Sequence, residues 1–128
     1  MALSHPETNE LSRLLIGAAI EVHRELGPAL LESIYEECLY FELESLGVSV
    51  RHKESIPIIY KGRKIIGTYR PDLVVNDLII VEAKALEKVL PVHKAQVLTY
   101  LNLLKIPVGL LFNFNTEVMT EGIVRISL

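Results

Sequence analysis

Between Asn9 and Leu26 the apolar residues Leu11, Leu14, Leu15, Ala18, Ala19, Val22 and Leu26 recur at three- and four-residue steps. That spacing predicts a helix with one buried face. Gly27-Pro28 stops it, a glycine suited to the C′ position followed by a residue that cannot continue the ladder. A second helix is predicted from about Leu30 to Leu46, ended by Gly47. Its apolar positions are Leu31, Ile34, Tyr35, Cys38, Leu39, Phe41 and Leu46, with Glu36, Glu37, Glu42 and Glu44 expected on its wet side. The pattern then changes to short β-rich runs: Val48–Lys53, Ile56–Tyr60, Lys64–Tyr69, Asp72–Val75 and Leu78–Lys84. Lys61-Gly62-Arg63 and Asn76-Asp77 have the chemistry of hairpin turns. A helix from Pro91 to Leu104 follows, with proline at its favoured first position, and two β runs, Val108–Phe114 and Gly122–Ser127, close the chain. The order α-α-β-β-β-β-α-β-β predicts a mixed β-sheet flanked by helices, in the α/β (α+β) class.

Composition narrows this without redirecting it. A length of 128 residues, half of them apolar, with a mean hydropathy of +0.34, predicts one ordered domain over residues 1–128, with residues 1–8 as a loose N-terminal arm. The longest uncharged apolar stretch, Leu14 to Ile20, falls far short of the ~20 residues of a membrane helix. The opening MALSHPETNE lacks the basic and apolar regions of a secretory signal. The single cysteine, Cys38, excludes an internal disulfide and a multi-cysteine metal cluster, and reads as a small core residue. A cytoplasmic location is the expectation, with no membrane partner. The net charge of −3 is unevenly spread: residues 1–47 carry nine glutamates and two arginines, whereas residues 48–128 carry eleven basic and seven acidic side chains. Arg51, Lys53, Lys61, Arg63, Lys64 and Arg70 fall in one 20-residue window opposed only by Glu54.

The candidate chemistry lies in the segment from Tyr69 to Lys84. Its second β run has Val or Ile at most positions, the pattern of a central strand covered on both faces. Glu82 and Lys84, two residues apart, project from one face of it. Charged residues are almost never buried unless paired, so this pair at the end of a core strand needs a partner. Asp72, at the start of the preceding strand, is the candidate. A two-residue Asn76-Asp77 turn would put Asp72 opposite Val81 and turn the two carboxylates to opposite faces. A shared site therefore requires a slip of one residue, through a three-residue Asn76–Leu78 loop or a bulge that sets Asp72 opposite Glu82. We predict that slip. Two carboxylates beside an ammonium suit Mg²⁺ or Mn²⁺, which take oxygen ligands from one or two carboxylates plus water and phosphate.

Pro71-Asp72 followed by Glu82-Ala83-Lys84 resembles the signature of the PD-(D/E)XK nuclease superfamily, and the surrounding chain is similar to its small GxxExxY family. The family's name motif falls on Ala29 to Tyr35, matching at Glu32 and Tyr35 but with Ala29 in place of the glycine. Either this turn needs no left-handed residue, or Gly27 supplies the freedom. Gln96 and Tyr100, four apart on one helical face, resemble the Gln-x-x-x-Tyr element of RecB-type nucleases. His93 shares that face, whereas His23 and His52 have no partner at metal-ligand spacing.

The resemblance implies a restriction-endonuclease-like core and metal-assisted hydrolysis of a phosphodiester. It makes Asp72, Glu82, Lys84 and Glu32 the catalytic set. Asp72, Glu82, Glu32 and the Ala83 backbone carbonyl would hold Mg²⁺ or Mn²⁺, and Gln96, Tyr100 and Tyr35 would position substrate. Tyr35 either holds Glu32 by a hydrogen bond or fills the core. The implied partner is nucleic acid, DNA ahead of RNA, and a homodimer or protein partner would enlarge the small binding surface. Two other readings stand beside it: a catalytically inactive nuclease-fold module that binds nucleic acid or protein, and a closed ion-pair network with a structural role only.

Overall fold

A computed structural model describes residues 6–67 and 69–128. Helix α1 runs Pro6–Leu26 and buries Leu11, Leu15, Ala18, Ala19 and Val22 along one side. It starts earlier than its apolar period suggests: residues 6–8 form its first turn and Thr8 is fully buried, so the expected arm is shorter, and residues 1–5 lie outside the described residues. Gly27 ends the helix with φ +69°, its N–H donating to the His23 carbonyl at 2.7 Å.

Helix α2 begins only at Glu32, and extends to Ser45, because residues 27–31 form a tight connection. Ala29 sits there at φ +75°, in the left-handed region. The turn does need a left-handed residue at the motif's glycine position, and Gly27, itself left-handed, does not relieve Ala29 of that conformation. Tyr35 secures the connection. Its fully buried ring stacks on Phe114 with 4.4 Å between centroids, and its hydroxyl donates to the Gly27 carbonyl at 2.5 Å while accepting from the Leu30 N–H at 3.2 Å.

The strands are β1 (Val50–His52), β2 (Pro57–Tyr60), β3 (Arg63–Ile66), β4 (Leu73–Val75), β5 (Ile79–Lys84), β6 (Val108–Asn113) and β7 (Ile123–Ser127), with α3 (Pro91–Leu104) between β5 and β6. Five of them form a sheet in the order β1-β4-β5-β6-β7, and β2 and β3 form a separate hairpin. That hairpin turns on Lys61 and Gly62 alone, at φ +48° and +79°; Arg63, expected in the turn, pairs with Tyr60. Strand β3 stops at Ile66, short of the expected Tyr69.

The β4–β5 pairing has the slipped register. Val75 pairs with Ile79 and Leu73 with Val81 across the three-residue loop Asn76–Leu78, in which Asn76 and Asp77 both have positive φ. Strands β5 and β6 run parallel. A parallel pair cannot be joined by a tight turn, and α3 makes the crossover over one face of the sheet. A short 3-10 turn, Met119–Gly122, not foreseen from the pattern, leads into β7.

Alternation along the central strands divides the core in two. Leu73, Val75, Ile79, Val81, Ala83, Val108, Leu110 and Phe112 pack against α1 and α2, and Val74, Ile80 and Leu111 pack against Val97, Tyr100 and Leu101 of α3. Gly109 lets α3 approach: a Cβ there would lie 2.4 Å from the Val97 Cγ1 atom.

Two stability changes follow. Ala29→Gly removes a left-handed alanine and raises unfolding free energy by about 1 kcal/mol, read as a higher urea midpoint. Gly109→Ala forces α3 away from the sheet and lowers it by about 1–3 kcal/mol in the same titration.

Candidate active site

The site begins from the register. One step beyond the Leu73–Val81 pair, Asp72 lies opposite Glu82, and each carboxylate bonds the other strand's backbone. The Ala83 N–H donates to Asp72 Oδ2 at 2.8 Å and the Asp72 N–H to Glu82 Oε2 at 3.2 Å. A two-residue turn would have separated these groups to opposite faces. Glu82 is only 3% exposed, and burial, followed by the Asp72 charge, pushes its carboxyl up to about 9; Lys84 pulls the other way. Lys84 is half-buried on the same face, and among the described residues no carboxylate lies within ion-pair distance of it. A closed ion-pair network would have engaged its ammonium.

Tyr100 comes from α3 to the same face. It is 3% exposed, and its hydroxyl is pushed up by burial and then by the Glu82 charge, with the Arg70 backbone opposing. Gln96, one turn earlier, turns elsewhere: with Tyr69, Val92, His93, Ala95 and Thr99 it lines a cavity of about 420 Å³. The Tyr69 ring, which lines this cavity, meets the Tyr100 ring edge-on at 6.0 Å.

Glu32 is the first residue of α2, and its Oε2 accepts the Ala85 N–H at 3.2 Å. It therefore reaches the end of β5 and fixes the backbone just after Lys84, rather than joining the Asp72–Glu82 contact. Among the described residues no three acidic, histidine or cysteine side chains converge closely enough to hold a metal ion. The structure thus brings together Asp72 and Glu82, with Lys84 and Tyr100 beside them, and leaves Glu32 at the margin. Tyr35 is not part of this face: its hydroxyl is spent on Gly27 and Leu30, and it holds neither Glu32 nor an accessible surface.

Glu36 corrects the expected wet side of α2. It is 7% exposed, four residues beyond Glu32, with His52 Nε2 at 3.0 Å and Lys53 Nζ at 3.8 Å. Burial raises its pKa and the Asp72 charge raises it further. His52, stacked on Tyr40, is its partner from β1. The one sequence signal was the four-residue step from Glu32, which places both acids on one helical face. The basic window divides likewise. Arg51 pairs with Glu54 and Asp77, and Lys53 with Glu37. Lys61, Arg63, Lys64 and Arg70 are exposed and form no ion pair among the described residues.

Two carboxylates against each other fit a hard divalent cation, which commonly takes one or two carboxylates and completes its shell with water and phosphate oxygens. No helix among the described residues is long and apolar enough to cross a membrane. Compared with known proteins, the chain has no match among curated proteins and none among solved structures. A family model described as PD-(D/E)XK nuclease superfamily matches residues 9–126. The mixed five-stranded sheet and its flanking helices agree with that fold, and the chain belongs to the PD-(D/E)XK nuclease superfamily.

Proposed function

We propose that the protein is a Mg²⁺- or Mn²⁺-dependent nuclease that hydrolyses phosphodiester bonds, DNA being the first substrate to try. The observation that carries this reading is the apposition of Asp72 and Glu82, two carboxyl groups held together by each other's backbone. Burying them against one another stabilises nothing in the free protein; it becomes favourable when a cation lies between them.

Asp72, Glu82 and the Ala83 carbonyl would hold the metal, which supplies Lewis-acid stabilisation of charge on the phosphate and lowers the pKa of water. Lys84, which forms no ion pair among the described residues, orients the attacking water and neutralises charge that develops on phosphate oxygens. Glu32 holds the end of β5 through the Ala85 N–H, and so fixes where Lys84 points. Tyr100 limits solvent access to Glu82. The exposed Lys61, Arg63, Lys64 and Arg70 lie on the stretch of chain that leads into Asp72, where a substrate backbone would meet positive charge.

The test is cleavage of mixed DNA and RNA with Mg²⁺ or Mn²⁺. Asp72→Asn and Lys84→Ala should each lower the rate by on the order of 10²–10³-fold. Activity that survives both substitutions overturns the site, and nucleic-acid binding without cleavage in the wild type favours the inactive module.

The raised Glu82 carboxyl has a measurable consequence. Between its ordinary value of 4.5 and about 9 the folded chain holds a proton that the unfolded chain has lost, so stability without metal falls as pH rises through that window. Thermal melts in EDTA should show this fall. Glu82→Gln should flatten it and raise the melting temperature at pH 8, while abolishing cleavage.

A further inference from the structure

The cavity beside α3 has a lining unlike that of the carboxylate site. Tyr69 supplies an aromatic ring, Val92 and Ala95 supply small apolar walls, and His93, Gln96 and Thr99 supply hydrogen-bonding groups. Among the described residues no Asp, Glu, Lys or Arg lines it. Its volume of about 420 Å³ lies within the range of small-molecule sites. His93 accepts the Leu90 N–H through Nδ1 at 2.9 Å, which leaves Nε2 to donate. Among the described residues the Gln96 amide makes no hydrogen bond within the chain, although Gln96 is half-buried. It offers one acceptor and two donors, and the Thr99 hydroxyl offers one of each kind.

An uncharged pocket does not suit a phosphate or a metal ion. A flat aromatic wall with mixed donors and acceptors along one side matches a planar heterocycle that carries both at its edge. That is the chemistry of a nucleobase, which stacks on an aromatic face and is read by hydrogen bonds at its Watson–Crick edge. Position agrees with chemistry. Tyr69 is three residues from Asp72, a chain reach of at most about 10 Å, and its ring abuts Tyr100 on the Glu82 face.

We propose that this cavity receives one unstacked nucleobase next to the phosphate held at Asp72 and Glu82, and that the substrate strand is therefore single-stranded or locally opened. The proposal rests on the nuclease reading for the identity of the strand, but the pocket can be tested without cleavage. Base pairing would keep the base in its stack and out of reach, so a fully paired duplex is the poorer substrate.

Saturation-transfer NMR with the four deoxynucleoside monophosphates, and with deoxyribose 5-phosphate as a baseless control, tests it directly. Base protons should receive the strongest saturation and the control none. Tyr69→Ala and Gln96→Leu should each weaken binding about tenfold, and Tyr69→Phe should preserve it. Tyr69→Phe and Gln96→Leu keep the volume of the wall, so an unfolded Tyr69→Ala would still leave the question answerable. An abasic position walked along a single-stranded oligonucleotide should weaken wild-type binding at one position and have no such effect on Tyr69→Ala. Saturation confined to sugar protons, or base contacts that survive Tyr69→Ala and Gln96→Leu, overturns the pocket even if the enzyme cleaves. Base binding with these losses, in a protein that cleaves nothing, overturns the nuclease reading and leaves the pocket standing.

Discussion

Asp72 and Glu82 cannot both ionise in contact without a cost, and the fold holds them together nonetheless. What enforces the contact is backbone: a three-residue loop at Asn76–Leu78 with two left-handed residues, the register it sets between β4 and β5, and the one N–H that each carboxylate accepts from the opposite strand. Hydrophobic side chains then lock the register. Leu73, Val75, Ile79 and Val81 face α1 and α2, and Val74 and Ile80 face α3. A slip by one residue would expose this whole set at once. The strain between the two acids is thus carried by a core that has no alternative arrangement of comparable burial, which is how a fold sustains a locally unfavourable site.

Much of this was legible in the sequence, for identifiable reasons. Helix α3 matches its expected bounds, Pro91 to Leu104, because proline marks its start and the chain turns left-handed at Lys105 just past its end. The register of β4 and β5 followed from asking how Asp72 and Glu82 could share a face. Other features were not legible, because they depend on contacts distant in sequence. Glu36 was placed on the wet side by residue type, and only the arrival of His52 and Lys53 from β1 shows why a glutamate can be buried there. Tyr35 shares a helix face with Glu32, but Phe114, near the other end of the chain, draws its ring into the core. The left-handed state of Ala29 runs against its own preference and was visible only as a missing glycine. The Glu32 carboxylate shows a subtler limit: the family resemblance made it a metal ligand, whereas the structure sets it on the Ala85 N–H.

The acidic surplus of the first 47 residues also divides once the structure is known. Glu32 and Glu36 face the sheet, and Glu36 and Glu37 draw His52 and Lys53 of the basic window into pairs. Net charge therefore misleads here in both directions, because part of each excess neutralises the other inside the fold. What is left on the stretch leading to Asp72 is Lys61, Arg63, Lys64 and Arg70, without ion-pair partners among the described residues.

Three of those four residues belong to the β2–β3 hairpin or its turn, which pairs with no strand of the main sheet. The hairpin is an excursion between β1 and β4, and those two strands are already direct neighbours, His52 pairing with Leu73. The ladder that carries the carboxylates is therefore complete without it. Length, sequence and charge in this loop can drift, or be exchanged for another loop, with no penalty to the register that keeps the two acids in contact. The charge this hairpin presents can therefore change while the two acids stay in contact.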